Sequence, residues 1–92
     1  MEYFVYILYS EKDDGLYIGC TNNIASRLKR HQMGNVFSTR YRLPVHLIQF
    51  EEYKNKADAF NRERFLKSLW GAREKNKIKK KYKQNINTNF CQ

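Results

Sequence analysis

The start of this chain constrains its fold more than any other stretch, because it spells a hairpin residue by residue. Tyr3-Phe4-Val5-Tyr6-Ile7-Leu8-Tyr9 is β-branched and aromatic, and Ser10 with the polar run Glu11-Lys12-Asp13-Asp14-Gly15 ends it. Such side chains suit a pleated, half-buried surface, and Asp14-Gly15 tolerates the positive φ that a tight turn demands. Leu16 to Cys20 makes the returning strand. Side chains alternate along a strand, so Leu16, Ile18 and Cys20 face one side and Tyr17 and Gly19 the other. Glycine inside a strand weakens it and marks a bulge or the close approach of another group.

The rest of the chain supplies what must cover that hairpin. Thr21 or Asn22 is placed to cap a helix running to about Met33, with Gly34 as its stop. A loop rich in Ser, Thr and Arg spans Asn35 to Pro44, and His46 to Tyr53 alternates as a third strand. Asn55 caps a second helix, with Asp58 favouring its N-terminus, that reaches about Trp70 and meets Gly71. Ala72 to Tyr82 forms a further basic helix. These elements predict an α+β domain with a small, mainly antiparallel three-stranded sheet flanked by helices. The expected domain is residues 1–83, followed by a flexible tail at 84–92.

The charge is distributed asymmetrically along the chain. Residues 1–63 carry nine Lys/Arg against eight Asp/Glu, whereas residues 64–92 carry nine against Glu74 alone, so most of the net charge of +9 lies in the last third. Clustered cations displace the counterions condensed on phosphates, so a polyanion is the natural partner, with a merely solvated basic tail as the alternative. Membrane-surface binding fits less well, because the stretch 75–83 offers only Ile78 and Tyr82 as an apolar face. No apolar run approaches the ~20 residues of a bilayer span, and Met1 to Phe4 lacks the pattern of an export signal. Cys20 and Cys91 form neither a metal-ligand spacing nor a disulfide framework, which suits a reducing cytoplasm.

Polar groups on faces that ought to be apolar give the sharper clue. Ile24 and Leu28 mark the inward stripe of the first helix, and Arg27 and His31 fall beside or within it. An inward Arg and His need an anion or carboxylate to offset desolvation, or else Arg27 snorkels and His31 bonds a carbonyl. On the second helix Ala59, Leu66 and Trp70 trace a stripe that also contains Glu63. That carboxylate either pairs with Arg27 or Arg62 or is available to a hard divalent cation. Tyr6 and Tyr17, on adjacent strands, either present hydroxyls to one sheet face or pack in the ordinary way.

At these positions the sequence resembles the GIY-YIG nuclease superfamily, most closely its small stand-alone bacterial members. The second motif stands as Tyr17-Ile18-Gly19 and the first as Phe4-Val5-Tyr6, with Phe4 where the name-giving Gly would be. A helix with Arg27 and His31 one turn apart follows, and Glu63 stands in Asn61-Arg62-Glu63-Arg64-Phe65-Leu66-Lys67. Leu43-Pro44-Val45 and Glu51-Glu52-Tyr53 match the small members as well, so the resemblance covers Tyr3 to Leu69.

The resemblance implies a metal-dependent endonuclease hydrolysing phosphodiester bonds, selective for structure more than sequence. It implies Tyr6, Tyr17, Arg27, His31 and Glu63 as catalytic residues, Gly19 as the residue keeping backbone clear, and Glu63 as ligand of one Mg²⁺ or Mn²⁺. Either Tyr6 or His31 is then the general base. Arg40, Arg42, Lys67 and Arg73 are the candidate nucleic-acid contacts, with DNA expected ahead of RNA and a protein partner as one source of specificity. The competing readings are a non-catalytic nucleic-acid-binding module on the same scaffold and a structural adaptor.

Overall fold

A computed structural model describes residues 2–90, with side chains through residue 85. Strand β1 (Tyr3–Ser10) and strand β2 (Leu16–Thr21) form the expected hairpin. Helix α1 (Ile24–Gln32) follows, then strand β3 (Val45–Tyr53), helix α2 (Lys56–Lys67), a 3₁₀ turn (Leu69–Gly71) and helix α3 (Ala72–Phe90). The three strands lie in the order β2-β1-β3, antiparallel throughout, with β1 in the centre. The α+β architecture is therefore the one predicted.

Local chemistry explains the element ends. Asp14 takes the positive φ of the hairpin turn, at 60°, and its carboxylate accepts a hydrogen bond from the Tyr9 hydroxyl at 2.6 Å. The cap of α1 is Asn23, one residue beyond the predicted pair. Its side-chain oxygen accepts from the Ser26 amide at 3.0 Å, while Thr21 Oγ1 accepts from the Asn23 amide at 3.1 Å. Asn55 caps α2 as predicted, accepting from the Ala57 amide at 2.8 Å. Gly34 leaves α1 at φ 78°, the left-handed conformation that glycine adopts without cost.

Alternation along β1 divides the interior into two layers. Val5 and Ile7 pack with Ile18, Ala59 and Leu66 on the face covered by α2, where Ile78 of α3 joins them. Tyr6 and Leu8 pack with Val45, Tyr17, Leu28 and Leu43 on the face covered by α1 and its loop. Full burial of a Val, Ile or Leu side chain such as Val5, Ile7 or Leu8 contributes about 1.5–3 kcal/mol against chain entropy.

Two expectations change here. The second helix ends at Lys67, because Ser68 is extended (ψ 170°), and the helical period no longer holds beyond it. Trp70 is consequently 84% exposed, and Gly71 occupies the buried position in the turn. Helix α3 carries the chain past residue 83 to Phe90; of the expected tail, residues 91 and 92 lie outside the described residues. The helix is docked against the sheet: Tyr82 packs on Tyr9, Lys79 and Lys83 pair with Asp14, and Glu74 pairs with Arg62. Ile78 and Tyr82 thus pack inward and do not form a membrane-facing stripe. Among the described residues no helix is long and apolar enough to cross a membrane.

Candidate active site

The site grows from one cross-strand pair. Tyr6 in β1 sits opposite Gly19 in β2, and its ring lies across the space a side chain there would fill. A Cβ built on Gly19 would collide with the Tyr6 hydroxyl and ring, and would stand 2.8 Å from Cε1. The glycine thus has an intramolecular cause, because it seats Tyr6. The Tyr17 ring borders the same space, 6.3 Å from Tyr6 and 5.2 Å from His31 between centroids.

His31, at the end of α1, is fully buried against these rings. Its Nε2 lies 2.9 Å from the Tyr6 hydroxyl and its Nδ1 2.7 Å from Thr39 Oγ1. With Nδ1 protonated and donating to Thr39, Nε2 accepts from the Tyr6 O–H; the other tautomer reverses both bonds. Burial holds the imidazole below its ordinary pKa, and the charges of Arg27 and Arg30 act the same way. Burial also pushes the Tyr6 phenol well above its ordinary range, with Tyr17 and Glu63 adding to the effect and Arg27 opposing it. At neutral pH the resting pair is a phenol and a neutral imidazole.

Arg27 and Glu63 complete the group from two different helices. Both act electrostatically on the Tyr6 hydroxyl, and both act on Cys20, so they share one neighbourhood around the edge strand β2. Arg27 is half-buried, and no carboxylate of the described residues pairs with it. Glu63 borders an open cleft of about 370 Å³ together with Tyr3, Cys20, Thr21, Asn22, Lys56 and Phe60. Its partner is neither of the arginines the sequence suggested. Lys67, one turn along the helix, donates to it at 3.1 Å, while Arg62 binds Glu51 and Glu74.

These residues suit a divalent cation of the hard, oxygen-seeking kind. The Glu63 side chain is 13% exposed toward the cleft, and its lysine partner is 53% exposed. With its ammonium largely in solvent, Lys67 is a weakly held partner that a divalent cation at Glu63 can replace. Among the described residues no group of three His, Cys, Asp or Glu side chains is placed to cage an ion. One carboxylate, with water and substrate phosphate supplying the other oxygens, is a usual way to hold Mg²⁺.

The structure brings together Tyr6, Tyr17, Gly19, Arg27, His31 and Glu63, and Lys67 stands beside them through its bond to Glu63. Arg42 lies elsewhere, at the hairpin turn, donating to Asp13 at 2.5 Å and to the Leu16 carbonyl at 3.4 Å. The Arg40 guanidinium lies over both the Phe37 and the Tyr41 ring on the loop after α1. Arg73 is exposed near the start of α3. Two members carry no clear signal in the sequence. Thr39 is fully buried in a largely exposed loop, and Lys56 opens α2 beside the cleft.

A profile of the GIY-YIG catalytic domain matches residues 2–87, and the chain belongs to the GIY-YIG nuclease family. Nucleases of this family act on nucleic acid and typically use divalent metal ions. Within that family its relatives are UPF0213 proteins. One from Clostridium perfringens is 46% identical over 67 residues, covering 72% of this chain and 71% of the relative. Another, from Bacillus licheniformis, is 36% identical over 85 residues, covering 91% of this chain and 87% of the relative. The solution NMR structure of a UPF0213 protein from Bacillus halodurans has a similar fold, with a TM-score of 0.55 at 32% identity, covering 85% of this chain and 82% of that one.

Proposed function

We propose that this protein is a metal-dependent endonuclease that hydrolyses nucleic-acid phosphodiester bonds and selects substrate structure more than sequence. The observation that carries this reading is the gathering of Tyr6, Tyr17, Arg27, His31 and Glu63 about a single edge-strand glycine. Neither a plain binding module nor an adaptor needs a half-buried arginine that no carboxylate of the described residues pairs with, a buried imidazole and a cleft carboxylate side by side. Lys56 and Glu63 line the cleft, and Arg27 and Lys67 act on the same Cys20 beside it, so three cations stand near one carboxylate where a phosphate would bind.

Each residue then has a task. Arg27 donates to a non-bridging phosphate oxygen and offsets charge that develops there. Glu63 would hold one Mg²⁺ or Mn²⁺, which supplies Lewis-acid polarisation of the phosphate when bound. In this reading Tyr6 accepts the proton of the attacking water while its own proton passes to His31 Nε2, 2.9 Å away. His31 is thus the final proton acceptor, and its depressed pKa leaves it unprotonated and ready at neutral pH. Tyr17 orients the water or phosphate. DNA is the expected polymer ahead of RNA, and the free thiol of Cys20 accords with a cytoplasmic setting.

The test is a panel of end-labelled single-stranded, nicked, flapped and branched DNA and RNA, incubated with Mg²⁺, Mn²⁺ or EDTA. Wild type is expected to give metal-dependent products, and Glu63→Ala to be slower by at least about 10²-fold with an unchanged circular dichroism spectrum. Equal cleavage by Glu63→Ala, or cleavage in EDTA, overturns the reading. Binding with no products under any metal would favour the non-catalytic module.

A further inference from the structure

The loop joining α1 to β3 exposes more aromatic surface than its packing needs. Phe37 is 77% exposed and Tyr41 67%. Single exposed aromatics are ordinary on a protein surface, but these two are organised by an arginine. The Arg40 guanidinium carbon lies 5.0 Å from the centroid of the Phe37 ring and 4.8 Å from that of Tyr41. Arg40 also donates to the Tyr41 hydroxyl at 2.9 Å. No carboxylate of the described residues pairs with Arg40.

The loop is held in this shape from beneath. The Thr39 and Arg40 amides both donate to the Val36 carbonyl, at 3.1 and 2.9 Å, and the Arg42 amide donates to the Thr39 carbonyl at 2.9 Å. Thr39 is buried on His31, and Arg42 is fixed by Asp13 and by the Ser10 hydroxyl, which donates to the Arg42 carbonyl at 2.6 Å. Because the platform is already ordered, the loop itself loses little further freedom when a ligand lies on it. Two π-faces around a cation match one kind of partner well, a flat heteroaromatic ring that carries a phosphate. In a duplex the base faces are already stacked on their neighbours, so only an unpaired base can lie there.

We infer that Phe37, Arg40 and Tyr41 form a stacking site for an unpaired nucleotide, with Arg40 taking its phosphate and Thr39 linking the site to His31. The inference rests on the nucleic-acid reading above and deepens it, because it assigns the enzyme substrates with a single-stranded segment beside the cleavage point.

Binding measured in EDTA separates this site from cleavage. Fluorescence anisotropy with labelled oligothymidylate, oligouridylate and a blunt DNA duplex compares wild type with Phe37→Ala/Tyr41→Ala. Loss of base stacking by alanine substitution costs about 1–3 kcal/mol, so single-strand affinity is expected to fall by about tenfold or more. Duplex affinity should stay within about twofold, and Phe37→Trp/Tyr41→Trp should restore single-strand binding. A response with either oligonucleotide supports the site, and oligodeoxyuridylate, which differs from oligouridylate in the sugar alone, tells which sugar is preferred. Equal loss on single strand and duplex, or wild type binding the duplex as tightly, overturns it. Unchanged affinity for every probe also overturns it and leaves the surface to a protein partner. Both residues are exposed, so the variants are expected to melt like wild type, which a thermal scan checks. If the binding results hold while no substrate is ever cleaved, the endonuclease reading fails and the stacking site stands.

Discussion

Replacing Gly19 with alanine puts the seat of Tyr6 to a quantitative test. The added methyl would occupy space held by the Tyr6 hydroxyl and ring. Tyr6 has nowhere easy to go, because the Tyr17 and His31 rings stand 6.3 and 5.6 Å from it between centroids. The backbone is held by the strand register that pairs Tyr6 with Gly19. Overpacking of this kind costs about 1–3 kcal/mol, and displacing Tyr6 from His31 forfeits roughly another 1 kcal/mol. Alanine returns about 0.5–1 kcal/mol through its smaller loss of backbone entropy. The net loss is about 2 kcal/mol, which lowers the melting midpoint of a domain this size by roughly 8–16 °C.

Scanning calorimetry of a double-mutant cycle isolates the cause. Tyr6→Leu removes the obstructing atoms, so Gly19→Ala in that background should cost nothing or stabilise. Tyr6→Phe keeps the ring carbons in place but has no hydroxyl to lose from His31, so there Gly19→Ala should still destabilise, by about 1 kcal/mol less than in wild type. A coupling near zero, with Gly19→Ala costing the same in both backgrounds, would refute the steric account. A wild-type melting curve for Gly19→Ala would do so as well.

Other changes follow from the same site. Thr39→Val preserves shape but strands His31 Nδ1, so it should lower stability by about 1–3 kcal/mol by denaturant titration and alter the acidic limb of the pH–rate profile. His31 is held below its ordinary pKa of 6.5, so in acid the unfolded chain binds more protons than the folded one. Its contribution to stability is therefore intact above the ordinary value and falls as the pH drops below it. Melting midpoints measured from about pH 8 down to about pH 5 should decline less steeply for His31→Asn than for wild type. Arg42→Gln breaks a partly exposed ion pair with Asp13 and should change nucleic-acid affinity by less than about twofold, with a stability cost of at most about 1 kcal/mol after screening. A larger loss of affinity in a filter-binding assay would mean that Arg42 leaves Asp13 to reach phosphate.

What the sequence made legible is what local rules govern. The hairpin followed from alternation and from Asp14-Gly15, and the cap of α2 followed from Asn55. Arg27, His31 and Glu63 stood out because each broke the apolar stripe of its own helix, a signal that needs no knowledge of the partner. The cap of α1 slipped by one because Thr21, Asn22 and Asn23 are all competent caps, and the tertiary position of the strand end chose among them. Trp70 was misplaced by carrying a helical period through Ser68, where the backbone turns extended. Thr39 was hidden because loops have no period, so nothing local marks which of several polar residues turns inward. The bond from Arg42 to Asp13 spans 29 positions in the chain, and no pattern along the sequence foretells it.

The glycine that seats Tyr6 also bears on self-association. A sheet with two open edges offers unpaired amides and carbonyls to any passing strand. Edge strand β2 is only six residues long and carries Gly19 near its end, a poor template for an added strand. Edge strand β3 is longer, at nine residues, but its pairing with β1 breaks register between Ile7 and Leu8, and Glu51 and Glu52 stand near its end. A chain this rich in tyrosine and phenylalanine would otherwise be prone to stack edge to edge, so the residue that admits the tyrosine ring also helps keep neighbouring molecules apart.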